Sequence, residues 1–458
     1  MSDFTVAGKR VVVVGAARSG IAAAELLVSR GATVTLTDLK PEIPDAGRLA
    51  GMGIALQAGG HDAGTLAHAD LVVLSPGVPL GQPALEHARL AKVPIIGELE
   101  LASRWLKGRL IAITGTKGKS TTTTLVGRIL TSAGMRAMVA GNIGAPLSAD
   151  VQGSTPETVH VVEVSSFQLE TTTTFHPWIA ALLNLSTDHL DRHADFEEYA
   201  SAKARVFANQ ASSDWAAVNA DDAPAMDLAG RHARARRRLF AIDRPLEDGT
   251  TVADGWVVER VPGAPDTPLL PISDVRLIGR HLLSDVAAAA TVARLAGATP
   301  AAIRDAVAGF GGLEHALEPV RVVAGVRFVN DSKATNVEAA RRAIESFEGG
   351  LVPIIGGRFK GGDLRDLLVA LRGRSRTVVA IGEARSEVRR ALGDALAVVE
   401  AETMAGAVRA AFAAAPPGGT VVLAPACSSF DMFRDYAERG RVFKEEVQRL
   451  ARELDAAS

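Results

Sequence analysis

A single cysteine, Cys427, stands in 458 residues. Its isolation excludes an intramolecular disulfide and any cysteine-rich zinc site. An excess of charge is also missing, since 50 lysines and arginines against 52 aspartates and glutamates leave a net charge of −2. The balance gives no global pull towards nucleic acid or an anionic membrane, and neither is expected as a partner. Residues 410–430 carry no charge over a length that could span a bilayer, but Pro416-Pro417-Gly418-Gly419 and Pro425 break any helix there. That stretch reads as a helix end, a turn, a buried strand and a loop. The opening MSDFTVAGKR lacks the charged, apolar and small-residue order of a signal peptide, so a cytoplasmic location is expected. What is present is globular in kind: 47% hydrophobic, 22% charged, 44 glycines. The length exceeds one ordinary core, and about three domains are expected.

The most informative stretch is Leu110 to Thr124, LIAITGTKGKSTTTT. A β-rich run feeds the turn Gly115-Thr116-Lys117-Gly118-Lys119-Ser120, and a helical pattern continues towards Leu130. Strand, glycine turn and helix in that order form the context a phosphate-binding loop requires. Glycines let successive N–H groups face an anion, and the helix N-terminus behind them adds partial positive charge. Lys119 would reach the β/γ-phosphates of a nucleotide, and the Ser120 hydroxyl would ligate Mg²⁺. The loop is a shortened one, because the usual spacing places a further glycine where this chain has Ile113.

Ahead of it, strand Val11–Val14, a turn from Gly15 to Gly20, helix Ile21–Ser29 and strand Thr33–Asp38 make a Rossmann-like βαβ unit. A dinucleotide fingerprint would have glycine where Ala17 stands. Asp38 ends the second strand, where an acid commonly reads a ribose hydroxyl, and strand Leu71–Leu74 runs into Ser75-Pro76-Gly77. A nicotinamide site and a site for another nucleotide both remain open from these residues. A boundary is expected near Lys107-Gly108.

Beyond the glycine turn, strand Val159–Val164 ends in Glu163, and strand Ile179–Leu185 runs towards His189. Both residues fall at or just past strand ends on the edge where the turn opens, so a hard cation held by phosphates would recruit a carboxylate there. A structural role is the alternative for each. In the helix expected over Phe196–Gln210, Phe196, Tyr199, Val206 and Phe207 mark the buried face, and Lys203 falls on the same face. Burial would favour a neutral, reactive amine, whereas snorkelling past the apolar face would keep it charged. Residues 231–238, RHARARRR, read as a solvated basic surface without the aromatics of a nucleic-acid patch. After a linker near Gly311-Gly312, strands Val326–Val329, Val352–Ile355, Val378–Ile381 and Thr420–Leu423 form a third α/β unit. Each delivers a polar loop to one edge, and Ser428 and Ser429 are expected to open a helix suited to a carboxylate.

Several long motifs in order now identify a resemblance that covers nearly the whole chain. Gly115 to Thr121, Ser165-Ser-Phe-Gln-Leu-Glu170, Asp188-His-Leu-Asp-Arg-His193, Asn330-Asp-Ser-Lys-Ala-Thr-Asn336 and the Pro425 to Ser429 segment resemble the ATP-dependent Mur ligases of peptidoglycan synthesis, in particular the D-glutamate-adding branch. The resemblance implies three α/β domains: a Rossmann-like unit at 1–107, a central P-loop ATPase-type parallel sheet at 108–312, and a C-terminal Rossmann-like unit at 313–458. It implies a cytoplasmic monomer that joins UDP-N-acetylmuramoyl-L-alanine to D-glutamate through an acyl-phosphate, consuming ATP with two Mg²⁺ ions. Ala17, Arg18, Asp38, Ser75, Gly77 and Asn142 would hold the UDP substrate. Gly115, Thr116, Lys117, Gly118, Lys119, Ser120, Thr121 and Asp331 would hold ATP. Ser120, Glu163, His189 and a carbamylated Lys203 would serve the metals, with Lys119, His189, Lys203 and Lys333 catalytic. Thr335, Lys360, Ser429 and Tyr436 would meet the incoming amino acid. The chain departs from the family pattern at Ala316, where arginine is usual, and at Leu282 and Asp285, where asparagines near adenine are expected.

Overall fold

The computed structural model describes residues 4–187, 192–277 and 279–457. The chain forms two compact units, Met1–Val275 with Leu283–Gly309 and Arg276–Leu282 with Phe310–Ser458.

The first unit holds two sheets. Strands β1 (Arg10–Val14), β2 (Thr33–Asp38), β3 (Ala55–Ala58), β4 (Leu71–Leu74) and β5 (Ile95–Gly97) lie in the order β3-β2-β1-β4-β5. All pair in parallel. The valines of β1 are buried on both faces, as a parallel sheet covered by helices demands. Strand order reverses between β1 and β4, so the loops after them diverge and leave a crevice at the carboxyl ends of the strands.

The second sheet has nine strands: β6 (Arg109–Thr114), β7 (Arg136–Gly141), β8 (Thr158–Glu163), β9 (Ile179–Leu182), β10 (Trp215–Asn219), β11 (Arg236–Phe240), β12 (Gly249–Ala253), β13 (Trp256–Arg260) and β14 (Thr267–Pro271). β6 lies between β8 and β9, third from the β7 edge, so its loop opens between the carboxyl ends of two parallel neighbours. The expected parallel sheet is corrected here, because β12, β13 and β14 pair antiparallel at one end. The cause is a two-residue hairpin at Asp254-Gly255, both at positive φ, which reverses the chain in the manner of a primed turn. The basic cluster ends in β11, and the arginines at its two ends are paired locally: Arg231 with Glu197 and Asp227, and Arg238 with Asp248 and Glu259.

The second unit carries β15 (Glu318–Val323), β16 (Val326–Asn330), β17 (Leu351–Gly356), β18 (Thr377–Ile381), β19 (Ala397–Ala401) and β20 (Thr420–Leu423), ordered β15-β16-β20-β17-β18-β19. Only β15 runs antiparallel to its neighbour. The loops after β16, β17 and β20 therefore leave on one edge.

Candidate functional site

Gly118 sits at φ +82, immediately before the Lys119–Ser132 helix, and a Cβ added there would fall 2.1 Å from Asp285 Oδ1. Only glycine fits that turn. Lys119 Nζ donates to the carbonyls of Gly115 and Thr116, each at 2.9 Å. Lys203 Nζ donates to the same Gly115 carbonyl at 2.9 Å and lies 4.7 Å from the Tyr199 ring centroid. At 1% exposure Lys203 is buried, so it does not snorkel to solvent. Its helix is shorter than expected: Phe196–Ala204 is α-helical, and a single tighter turn, Arg205–Phe207, closes it.

Asn184 and Ser186, which sequence reasoning did not single out, and Tyr199, read there only as part of an apolar face, shape this turn. Asn184 accepts from Lys117 N through Oδ1 at 2.8 Å and returns a bond from Nδ2 to Lys117 O at 3.1 Å. The Thr116 hydroxyl lies 3.0 Å from Tyr199 OH and accepts from Ser186 N at 3.0 Å. Asn184 and Ser186 directly follow β9, and polar residues at that strand end were the available signal. Thr121 is buried within the first helical turn, and Ser120 and Lys117 are partly exposed.

Glu163 ends β8, one strand from the turn, and is 1% exposed. Its Oε1 accepts from Asn142 Nδ2 at 2.7 Å, while Oε2 is buried without a hydrogen-bond partner among the described residues. An orphaned carboxylate oxygen together with the Ser120 hydroxyl is a hard oxygen donor set that suits Mg²⁺ completed by phosphate oxygens. Among the described residues no cluster of three His, Cys, Asp or Glu side chains stands ready for a metal. His189 lies outside the described residues. Asp285 packs on the turn, with Oδ2 buried and unpartnered. Burial pushes its pKa up to about 8, against the opposing pull of Lys119.

The crevice between β1 and β4 is a cavity of about 610 Å³. Ala17, Arg18, Asp38, Ser75, Gly77 and Asn142 all line it, joined by His61, Gln82 and Gln168, which the sequence did not mark. The second sheet thus supplies part of its wall. Asp38 accepts from Ala16 N at 2.6 Å and Lys40 N at 2.9 Å, bracing the loop after β1. Burial opposes ionisation, yet the two N–H bonds prevail and hold the carboxyl below its usual range. Arg18 donates to Gly144 O at 2.6 Å, and Ser75 Oγ to Gly15 O at 2.9 Å. Gly20 belongs to the Arg18–Ser29 helix rather than to the turn before it, and a Cβ on it would meet Gly15 O at 1.8 Å.

In the second unit, Asp331 follows β16 and accepts from Leu317 N at 3.0 Å. Burial raises its pKa to about 7, against that N–H and Lys333. Lys333 and Lys360 are exposed, and Lys360 Nζ lies 5.4 Å from the Phe430 ring centroid. Thr335 is partly exposed on the same loop as Lys333. Ser428 and Ser429 are buried but open no helix; the next one begins at Tyr436. Instead the chain from Cys427 pairs with the loop after β17, Ser428 Oγ donating to Arg358 O at 2.9 Å. Tyr436 stands edge-on to His315, with centroids 6.2 Å apart. Ala316 is partly buried between His315 and Leu317, and Leu282 packs against the apolar core of this unit.

Comparison with known proteins places this geometry in context. Residues 9–97 match the Mur ligase MurD-like N-terminal domain, 113–293 the Mur ligase middle domain and 315–427 the Mur ligase glutamate ligase domain. The chain is 48% identical over 444 residues to the UDP-N-acetylmuramoylalanine--D-glutamate ligase of Acidobacterium capsulatum, covering 96% of both chains. It is 44% identical over 452 residues to the protein of the same name from Koribacter versatilis, covering 97% of this chain and 98% of that one. Among solved structures it resembles the UDP-N-acetylmuramate-alanine ligase MurC of Thermotoga maritima, with TM-score 0.60, 18% identity, and 96% and 99% of the two chains covered. The MurF ligase of Thermotoga maritima in complex with ADP gives TM-score 0.59 at 15% identity over 98% and 97%. At such identities the structures speak to the fold alone.

Proposed function

The chain belongs to the Mur ligase family, whose three domains it carries in tandem, and from that premise we propose that it is the ATP-dependent ligase that adds D-glutamate to UDP-N-acetylmuramoyl-L-alanine in peptidoglycan precursor synthesis. The observation that carries the reading is the meeting of Lys119 and Lys203 on the Gly115 carbonyl, one strand from the orphaned Glu163 oxygen. An oxidoreductase centred on the first sheet would leave that arrangement without a role.

In this reading residues 1–107 form a Rossmann-like domain for the UDP substrate, 108–312 a P-loop domain for ATP, and 313–458 the amino-acid domain. ATP supplies the phosphoryl group that turns the substrate carboxylate into an acyl-phosphate, and Mg²⁺ offsets the charge gathered there. Gly115 to Thr121 would wrap the phosphates: Asn184 holds the N–H groups of Thr116 and Lys117, while Gly118 and the helix start at Ser120 and Thr121 would turn N–H groups towards the anion and Lys119 would neutralise it. Glu163, Ser120, His189 and a carbamylated Lys203 would hold the metals, whose positive charge would offset the negative charge of the phosphates. For Lys203 the neutral amine adds to CO₂ and releases a proton, giving an anionic carbamate in place of a buried cation. Ala17, Arg18, Asp38, Ser75, Gly77 and Asn142 orient the UDP substrate. Asp331 and Lys333 meet the nucleotide and phosphoryl group, and Thr335, Lys360, Ser429 and Tyr436 orient the amine that attacks the acyl carbon.

The reading also carries a cytoplasmic monomer, which sedimentation at working concentration tests. Among the described residues no helix is long and apolar enough to cross a membrane. The deciding experiment is phosphate release from ATP with UDP-N-acetylmuramoyl-L-alanine across a panel of D- and L-amino acids. D-Glutamate alone should drive it. Binding of ATP with no phosphate released in the presence of both substrates would instead mark a non-catalytic nucleotide binder.

A further inference from the structure

Beneath the loop edge of the second unit a buried cation has only neutral hydrogen-bond partners among the described residues. Arg439, on the Tyr436–Ala457 helix, is 1% exposed. Its Nε donates to Ser332 Oγ at 3.0 Å, Nη2 to Ser332 O at 2.9 Å and Nη1 to Cys427 O at 3.0 Å. A hydroxyl and two backbone carbonyls make up that set. The Asp431 carboxylate favours the charge without a hydrogen bond to it: Oδ2 accepts from Glu383 N, and Oδ1 is buried with no partner among the described residues. Burial lowers the guanidinium to about 10, so it stays charged at neutral pH.

The three acceptors belong to loops that matter. Ser332 sits between Asp331 and Lys333 after β16, and Cys427 precedes Ser428 and Ser429 after β20. The loop after β17 presses on the same group, since a Cβ on Gly357 would fall 3.2 Å from Arg439 Nη1. A buried ion with no acid in direct contact is costly, and that cost is further offset when a second anion arrives nearby. A guanidinium also suits the task geometrically, because its fork reaches several carbonyls at once where an ammonium reaches fewer.

We propose that Arg439 is a positioning residue that locks the three loops in register and biases them towards an anionic amino acid over a neutral one. The inference rests on the D-glutamate reading above and adds how selectivity for that substrate is built.

The test uses the full chain and the variants Arg439→Lys and Arg439→Met, with KM and kcat measured for D-glutamate, for its neutral analogue D-glutamine, and for the UDP substrate, alongside melting temperature. Losing the bridging bonds should raise the KM for D-glutamate by about ten-fold in both variants, the loss expected for hydrogen bonds to a charged group. The preference for D-glutamate over D-glutamine should survive in Arg439→Lys, which keeps the charge, and fall by about ten-fold in Arg439→Met. The KM for the UDP substrate, bound by the other unit, should stay within about two-fold of wild type. Unchanged D-glutamate KM in Arg439→Lys overturns the proposal even if Arg439→Met fails to fold. So does a UDP-substrate KM that rises in step, which would mark general destabilisation. A wild-type chain inactive with D-glutamate would instead overturn the functional reading, and this inference with it.

Discussion

Lys119 and Lys203 approach one carbonyl from different helices, and that sharing separates their proposed roles. A lysine needed only for its charge tolerates no substitute but another cation, whereas one needed as a carbamate is replaceable by an added acid. Lys203→Ala should therefore lose at least about 100-fold in kcat, the scale on which a positioned electrostatic group acts, and regain part of it with formate or acetate. Activity equal to wild type without added acid would remove Lys203 from the site. Asp285 offers a test in pH. Its carboxyl is neutral below about 8 and becomes an anion against Gly118 above it. ATP affinity measured calorimetrically should thus fall from pH 7 to pH 9, and Asp285→Asn should flatten the decline. An equal slope in the variant would assign the titration elsewhere.

The same division between what lies near and far in the chain decides which elements were legible. Strands β1, β4, β6 and β20 could be read because each is a short apolar run that ends in glycine or polar punctuation. The loops that follow carry most of the proposed site, so its outline came with them. The antiparallel hairpin after β11 was missed although Asp254-Gly255 advertises a turn, since β12 and β13 are flanked by polar residues and show no clean alternation. Asn184 and Tyr199 were passed over for a different reason. Their partners Lys117 and Thr116 are 67 and 83 residues away, a separation that no local pattern encodes. Ser428 and Ser429 were misread as a helix start because the capping preference of serine is also a turn preference. One element permits a sharp check: Gly118→Ala forces an L-residue to φ +82 and pushes a methyl into Asp285. It should cost roughly 1–3 kcal/mol of stability and most of the ATP affinity, seen by denaturant melts and by calorimetry. A variant of wild-type stability and affinity would mean that the turn has room to relax.

At the scale of the whole molecule, buried acids set how stability follows pH. Asp150 is raised to about 6, Asp331 to about 7 and Asp285 to about 8, each by burial, and Glu98 is raised for the same reason. The folded chain therefore holds protons that the unfolded chain has released. Stability contributed by these groups is complete below the ordinary carboxylate range and is lost as pH rises to their folded values. His160, lowered to about 4 by burial, acts oppositely, but only below its ordinary value of 6.5. Above pH 6.5 the acids alone govern, and the melting temperature should fall towards pH 8.5, with Asp331→Asn removing part of the slope. A melting temperature constant over that interval would contradict the protonated assignments. The Glu100 carboxylate behaves differently. Burial opposes its charge, but the Thr174 hydroxyl, the backbone N–H groups of Thr173 and Thr174 and the Arg104 guanidinium all donate to it and keep its pKa low, and Phe175 N donates as well.

Those last bonds bear on the order in which the protein is made. Glu98 finds Ser148 N, and Glu100 finds Thr173 to Phe175, so both acids leave the ribosome well before their partners do. The crevice between β1 and β4 likewise has only one bank until Asn142 and Gln168 emerge. A nascent chain that ends at 107 owns hydrated glutamates and half a vessel, and the second bank is complete only after translation has passed β8.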